Sequence, residues 1–222
     1  MQGKTAVVVG ASGLIGRHLV QQLLNDPDFG TVRILVRQPL RLQHPKLQEQ
    51  IVNFNDLDDL SVKTGSGDCF FCCVGTTRKK VGGDKTAYRK VDYDIPIHTA
   101  RLAVQQGFNQ YLLVSAVGAN PVAANFYLQL KGSVEEDIVQ YPFMAIHIFR
   151  PSMLLGNRNE FRLGERIGQV IMQATKFLLI GSLRKYRPIH GAQVAVAMIA
   201  AAKNAVPGVH VYQYEEMSVL RS

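Results

Sequence analysis

The chain has 222 residues, 47% of them hydrophobic, and a formal net charge of +8. This length suits one α/β domain, and the apolar fraction is ordinary for a globular protein with a sizeable core. The basic residues are scattered apart from Arg78-Lys79-Lys80 and there is no tryptophan, so the charge excess excludes no anionic ligand but offers no clustered patch for nucleic acid.

No run approaches about 18 uninterrupted apolar residues, so neither a membrane span nor a signal peptide is expected. Residues 5–9 form a β-branched run that stops at Gly10-Ala11-Ser12-Gly13-Leu14-Ile15-Gly16, after which apolar residues recur at helical spacing over 14–24. A strand, a tight turn and a helix start are the setting in which such glycines bind a nucleotide. Gly10 permits the turn, Gly13 lets the backbone approach a pyrophosphate, and Gly16 lets the helix sit close on the sheet. The helix start adds unpaired N–H groups and a partial positive charge.

A second strand is read over 31–36, a short one over 51–54, and a capped short helix over 55–60. Residues 69–74 are continuously apolar, the mark of a strand buried on both faces of a parallel sheet. The three cysteines, Cys69, Cys72 and Cys73, all fall there. Alternation puts Cys69 and Cys73 on one face and Cys72 on the other, which predicts buried thiols rather than a shared metal or a disulfide framework, and a cytoplasmic location. Residues 86–106 read as a helical region kinked or divided at Pro96. A strand over 111–115, a helix over 125–140 and a strand over 144–149 continue the βαβ rhythm of a doubly wound, mostly parallel Rossmann sheet with helices on both faces. A long amphipathic helix is expected over 161–179, an alanine-rich helix over 192–204 and a last strand over 209–214. No linker or repeat divides the chain, so 1–222 is expected to be one NAD(P)-binding domain, with 151–190 adding a small substrate-side cap.

At the end of the second strand, NAD-preferring sites place a carboxylate on the ribose 2′-hydroxyl, whereas NADP sites accommodate a 2′-phosphate with an arginine. Here the strand ends in Arg37 with no acid nearby, and a guanidinium forks onto phosphate. NADP(H) is therefore expected in preference to NAD(H). Tyr127 and Lys131 stand four apart on a predicted helix and so share a face. A nearby ammonium stabilises phenolate and makes a tyrosine usable as an acid or base near neutrality. Ser115 ends the preceding strand, so it points into the same crevice as Gly10.

The glycine turn, Arg37, Cys73-Val74-Gly75-Thr76, Ser115, Tyr127-x-x-x-Lys131 and Arg150-Pro151-Ser152 occur in the order of the short-chain dehydrogenase/reductase superfamily. Within it the chain resembles the compact atypical NAD(P)H-binding branch that contains the Tat-interacting oxidoreductase-like proteins. The nearest echoes are Gly10-Ala11-Ser12-Gly13, Val74-Gly75-Thr76-Thr77-Arg78 and Val91-Asp92-Tyr93. The resemblance implies that Ser12, Leu14 and Ile15 line the pyrophosphate and that Arg37 meets the adenosine phosphate. Asp56 and Leu57 would border the adenine, and Cys73, Val74, Gly75 and Thr76 would run beside the ribose and phosphates. Tyr127 and Lys131 would hold the nicotinamide ribose, with Tyr127 the proton donor and Ser115 orienting a carbonyl; Pro151, Ser152 and Met153 would flank the nicotinamide.

Two departures stand out. Asp92 aligns where many relatives carry an asparagine that holds a proton-relay water. The segment after Arg150 is short, and its apolar stripe (Leu163, Ile167, Val170, Ile171, Ala174, Phe177) suits a lid, core or a subunit interface equally. The histidines are scattered without metal-ligand spacing; His190 could approach the crevice but is expected rather to cap or pack the alanine-rich helix. The expectation is an NADPH-dependent reductase of a small carbonyl compound, monomeric or homodimeric, with no metal, membrane or nucleic-acid partner. The alternatives are an NADP(H) sensor with little turnover, and an NAD-retaining epimerase, which Arg37 opposes.

Overall fold

The computed structural model describes residues 3–77, 79–155 and 179–221. Seven strands form one sheet: β1 (Lys4–Val9), β2 (Phe29–Val36), β3 (Leu47–Ile51), β4 (Cys69–Cys72), β5 (Gln110–Val114), β6 (Ala145–Phe149) and β9 (Gly208–Tyr212). Their order is β3-β2-β1-β4-β5-β6-β9, and every neighbouring pair is parallel. This is the doubly wound Rossmann arrangement expected from the βαβ rhythm, extended at one edge by β9.

Each central strand is covered on both sides, which explains its unbroken apolar sequence. Along β1, Ala6 and Val8 enter one core while Val7 and Val9 enter the other. The first core takes α1 (Leu14–Asn25), α6 (Gly191–Asn204) and Met217 of α7 (Tyr214–Val219). The second takes residues of α2 (Leu57–Thr64), α4 (Ile95–Gln105) and α5 (Phe126–Ile138). The cysteines divide as alternation requires: Cys69 and Cys73 pack with the first core and Cys72 with the second, and all three are free thiols.

The helical region over 86–106 is divided, as Pro96 suggested, but the break lies upstream of it. A short helix α3 (Lys85–Arg89) passes through a π-helical turn (Lys90–Asp94) into α4, with Pro96 in the first turn of α4. Proline is tolerated there because the first N–H groups of a helix need no intrahelical partner.

Several expectations are corrected. β3 spans Leu47–Ile51, not 51–54, because this edge strand is polar (Leu-Gln-Glu-Gln-Ile) and has no apolar run to announce it. The last strand stops at Tyr212, and 214–219 is instead the helix α7, entered through a capping box between Gln213 and Glu216. Two-residue strands β7 (Leu154–Leu155) and β8 (Ile189–His190) pair with each other, and a 3₁₀ helix spans Gly181–Tyr186; neither was expected. The amphipathic helix expected over 161–179 lies outside the described residues, Leu179 apart. No described helix is long and apolar enough to cross a membrane.

Candidate active site

Because all strands run one way, the loops after β1, β4, β5 and β6 emerge along one edge. β1 and β4 are neighbours whose connections leave toward opposite sides, so a crevice opens there. A cleft of about 1040 Å³ occupies this edge. Ser12 to Ile15 line it from the glycine turn, Cys73 to Thr77 from the end of β4, Ser115 to Val117 from the end of β5, and Pro151 and Ser152 from the end of β6. Tyr127 and Lys131 line it from α5, Asp92 from the π-helical turn, and His190 to Ala192 from the start of α6.

The turn is built from backbone. Gly10 has φ +84, and a Cβ there would stand 2.5 Å from the Cys73 carbonyl oxygen. At Gly16 a Cβ would stand 2.2 Å from the Gly10 oxygen. Both glycines sit behind the cleft wall and let β1, β4 and α1 meet closely. The Gly13 N–H donates to the Gly10 oxygen at 2.9 Å and starts α1 with no side-chain cap. The first N–H groups of α1 therefore face the cleft without a competing side-chain acceptor. That is a fit for a pyrophosphate.

Lys131 is buried, and its ammonium lies 3.0 Å from Asp92 Oδ1. Asp92 is fully buried, and its other oxygen accepts from the Thr76 N–H at 2.8 Å. Burial works to lower the Lys131 pKa, but the Asp92 carboxylate and then Tyr127 outweigh it and hold the ammonium above its ordinary value. Tyr127, 37% exposed, stands at the cleft with its ring edge-on to Tyr88, centroids 6.3 Å apart. The Tyr88 hydroxyl donates to the Thr76 carbonyl at 3.2 Å, and burial raises its pKa, so it remains a neutral phenol. Burial likewise pushes up the Cys72 and Cys73 thiols, which leaves neither as a nucleophile near neutrality.

Ser115 is buried at the end of β5, and its hydroxyl donates to Glu135. Glu135 in turn accepts from Arg150, Nε lying 3.0 Å from Oε1 and 3.1 Å from Oε2, with a further short contact from Nη2. A hydroxyl whose proton goes to Glu135 presents lone pairs to the cleft and does not donate to a carbonyl in this arrangement.

The remaining expected residues divide as follows. Val74, Gly75 and Thr76 line the cleft with Cys73, as do Pro151 and Ser152, but the Ser152 hydroxyl donates to the Arg187 carbonyl. Met153 is exposed and does not line the cleft; its carbonyl accepts from Ile189. Arg37 is exposed just past β2, on the same edge as the turn but outside the cleft lining. Asp56 and Leu57 also lie outside it. The Asp56 carboxylate caps α2, accepting from Asp58 N at 3.0 Å and Asp59 N at 3.1 Å, which is its evident local role.

His190 stands at the N-cap of α6 without a side-chain cap bond, and it lines the cleft, the crevice approach that the sequence left open for it. Arg17, His18 and Lys80 also line the cleft, and the sequence reading passed over them. Glu135 carried a readable signal: it follows Tyr127 and Lys131 at i+8 and i+4, on one helix face. Among the described residues, no group of three or more His, Cys, Asp or Glu side chains is placed to hold a metal ion.

This geometry, a backbone-lined phosphate cradle at the switch point of a parallel sheet, is that of a dinucleotide-binding Rossmann protein. A model of the NAD(P)H-binding family matches residues 10–163, and the chain belongs to that family. It is 34% identical to Protein HTATIP2 of Rattus norvegicus over 168 residues, covering 74% of this chain and 69% of the relative. It is 30% identical to Protein FMP52, mitochondrial, of Coccidioides immitis over 216 residues, covering 92% and 87%. Among solved structures it is similar to MoeE5 in complex with UDP-glucose and NAD, with a TM-score of 0.71, 18% identity, and coverage of 96% of this chain and 79% of that one. The resemblance to an NAD(P)H-binding branch read from the motifs thus holds.

The cytoplasmic expectation does not. FMP52 relatives from C. immitis, Eremothecium gossypii and Candida albicans are named as mitochondrial proteins, which conflicts with a purely cytoplasmic placement. Free thiols and the lack of a long apolar run suit any reducing compartment, so they never discriminated between the two.

Proposed function

We propose that this protein is an NADPH-dependent oxidoreductase that reduces a small carbonyl compound, with Tyr127 as the proton donor. The observation that carries this reading is that Tyr127 and the buried Lys131 ammonium, which interact electrostatically, both stand in the wall of the cleft that the glycine turn opens. A positive charge beside a phenol lowers the cost of giving up its proton. The N–H groups at the start of α1, with Ser12, Leu14 and Ile15, would hold the pyrophosphate. Arg37, free of any acidic neighbour in sequence, would fork onto a 2′-phosphate. Val74 to Thr76 would border the ribose and phosphates, and Pro151 and Ser152 the nicotinamide.

Bound NADPH supplies the hydride. The chain supplies the rest: Lys131 fixes the tyrosine and the ribose beside it, and the Tyr127 O–H passes its proton to the carbonyl oxygen. Val114, Ala116, Val117 and Leu155 give this stretch of the wall an apolar lining that limits water. The test is oxidation of NADPH across a panel of aldehydes, ketones and quinones. Turnover with at least one class is expected.

A second reading, an NADP(H) sensor with little turnover, draws on the Ser115 hydroxyl, whose commitment to Glu135 leaves the carbonyl one donor fewer. Tight NADPH binding with no oxidation anywhere in the panel would replace the first reading by the second.

A further inference from the structure

Asp92 is not absorbed by the reading above, and its position is unusual. It is 0% exposed in the wall of the cleft, where a carboxylate is costly unless it is matched. It sits in the π-helical turn Lys90–Asp94, an irregularity that re-aims side chains and recurs at functional sites. The carboxylate stands between two groups that can only donate: the Lys131 ammonium at 3.0 Å on one oxygen and the Thr76 N–H at 2.8 Å on the other. A carboxylate has an acceptor for each. An asparagine has one acceptor and one amide donor, so beside a protonated lysine it would, whichever way it turned, set a donor against a donor. The position therefore calls for a carboxylate.

The Thr76 peptide is held on its other side as well, since its carbonyl accepts from Tyr88, whose ring meets that of Tyr127 edge-on. We infer that Asp92 is a positioning residue: it fixes the Lys131 ammonium beside Tyr127 and ties that lysine to the Thr76 loop, so the β4 side of the cleft and α5 are held as one unit. Lys131 then stays charged because a buried partner neutralises it. The inference rests on the proposed role of Tyr127, but the measurement below reads ionisation and needs no turnover.

The titratable groups that face Lys131 are Asp92 from the π-helical turn, Tyr127 from its own helix and the Cys72 thiol from β4. In Asp92→Asn, the lysine is left buried without a counter-charge and gives up its proton more readily. Tyr127 then ionises without a cation beside it. The experiment is an ultraviolet tyrosinate titration of the parent and of Asp92→Asn, each subtracted from its Tyr127→Phe counterpart to isolate Tyr127. The midpoint is expected to move up by about one pH unit or more in Asp92→Asn. An unmoved or lowered midpoint would show that Lys131 holds its charge without Asp92, and would overturn the inference.

If Asp92→Asn fails to fold, thermal unfolding of the Asp92→Asn/Lys131→Gln pair decides. Two amides can satisfy each other and still accept from Thr76, so the double variant is expected to be more stable than Asp92→Asn alone. A double variant no more stable than the single one would refute the pairing. Loss of turnover in the parent, with the titration shift intact, would count against the reductase reading and leave Asp92 its role.

Discussion

At the scale of single residues, the proposed preference for NADPH turns on Arg37. It follows β2, the neighbour of β1, on the edge where the glycine turn lies, and it is exposed. A charge-assisted contact to a phosphate is worth roughly 1.5–3 kcal/mol, so Arg37→Ala should weaken NADPH binding by about 10- to 100-fold and leave NADH binding nearly unchanged. Isothermal titration calorimetry with both cofactors checks this. Equal losses for the two would assign Arg37 to the surface rather than to the 2′-phosphate. Most of the site was legible at this scale because its chemistry lies in spacing: three glycines after a strand, and Tyr127 and Lys131 four apart. Glu135 obeys the same spacing yet escaped notice, since a carboxylate four residues after a lysine on a helix reads as an ordinary surface ion pair. Only the fold reveals that Arg150 arrives from the end of β6 and Ser115 from the end of β5 to make it a buried hub.

At the scale of elements, the closeness of α1 to β1 and β4 sets the cradle. A methyl at Gly16 would meet backbone atoms, the Gly10 oxygen at 2.2 Å and the Ala11 Cα at 2.9 Å, and no flexible side chain is there to yield. Gly16→Ala is therefore expected to push α1 outward, with a loss of roughly 1–3 kcal/mol in stability and weaker binding of NADPH and NADH alike. Thermal unfolding and calorimetry together test this; a variant of unchanged stability and affinity would contradict the close packing. Elements buried on both faces were readable from their apolar runs, as β1, β4 and β5 show. The edge strand β3 was not, because one side faces solvent and its sequence is polar. The π-helical turn had no signature beyond a nearby proline, since a single extra residue in a helix changes no periodicity that a short window detects. The helix α7 did have one, the Gln213–Glu216 capping box, which a final-strand reading overran.

At the scale of the whole molecule, one parallel sheet brings four loop ends and the α5 face to one edge, and two charge clusters, one buried and one partly buried, stand behind that edge. Lys131 with Asp92 secures the β4 side, and Arg150 with Glu135 secures the β5 and β6 side. Tyr127 stands in the cleft in front of the first of these and near the helix start that carries both. The most direct test of the central claim, that this tyrosine gives a proton to a reduced carbonyl, is a comparison of Tyr127→Phe with the parent. Steady-state NADPH oxidation and NADPH affinity are measured on the same preparations. Loss of the hydroxyl alone should cut turnover by about 100-fold or more while NADPH affinity stays within a few-fold of the parent. Turnover unchanged in Tyr127→Phe would remove Tyr127 as the acid and with it the mechanism proposed here.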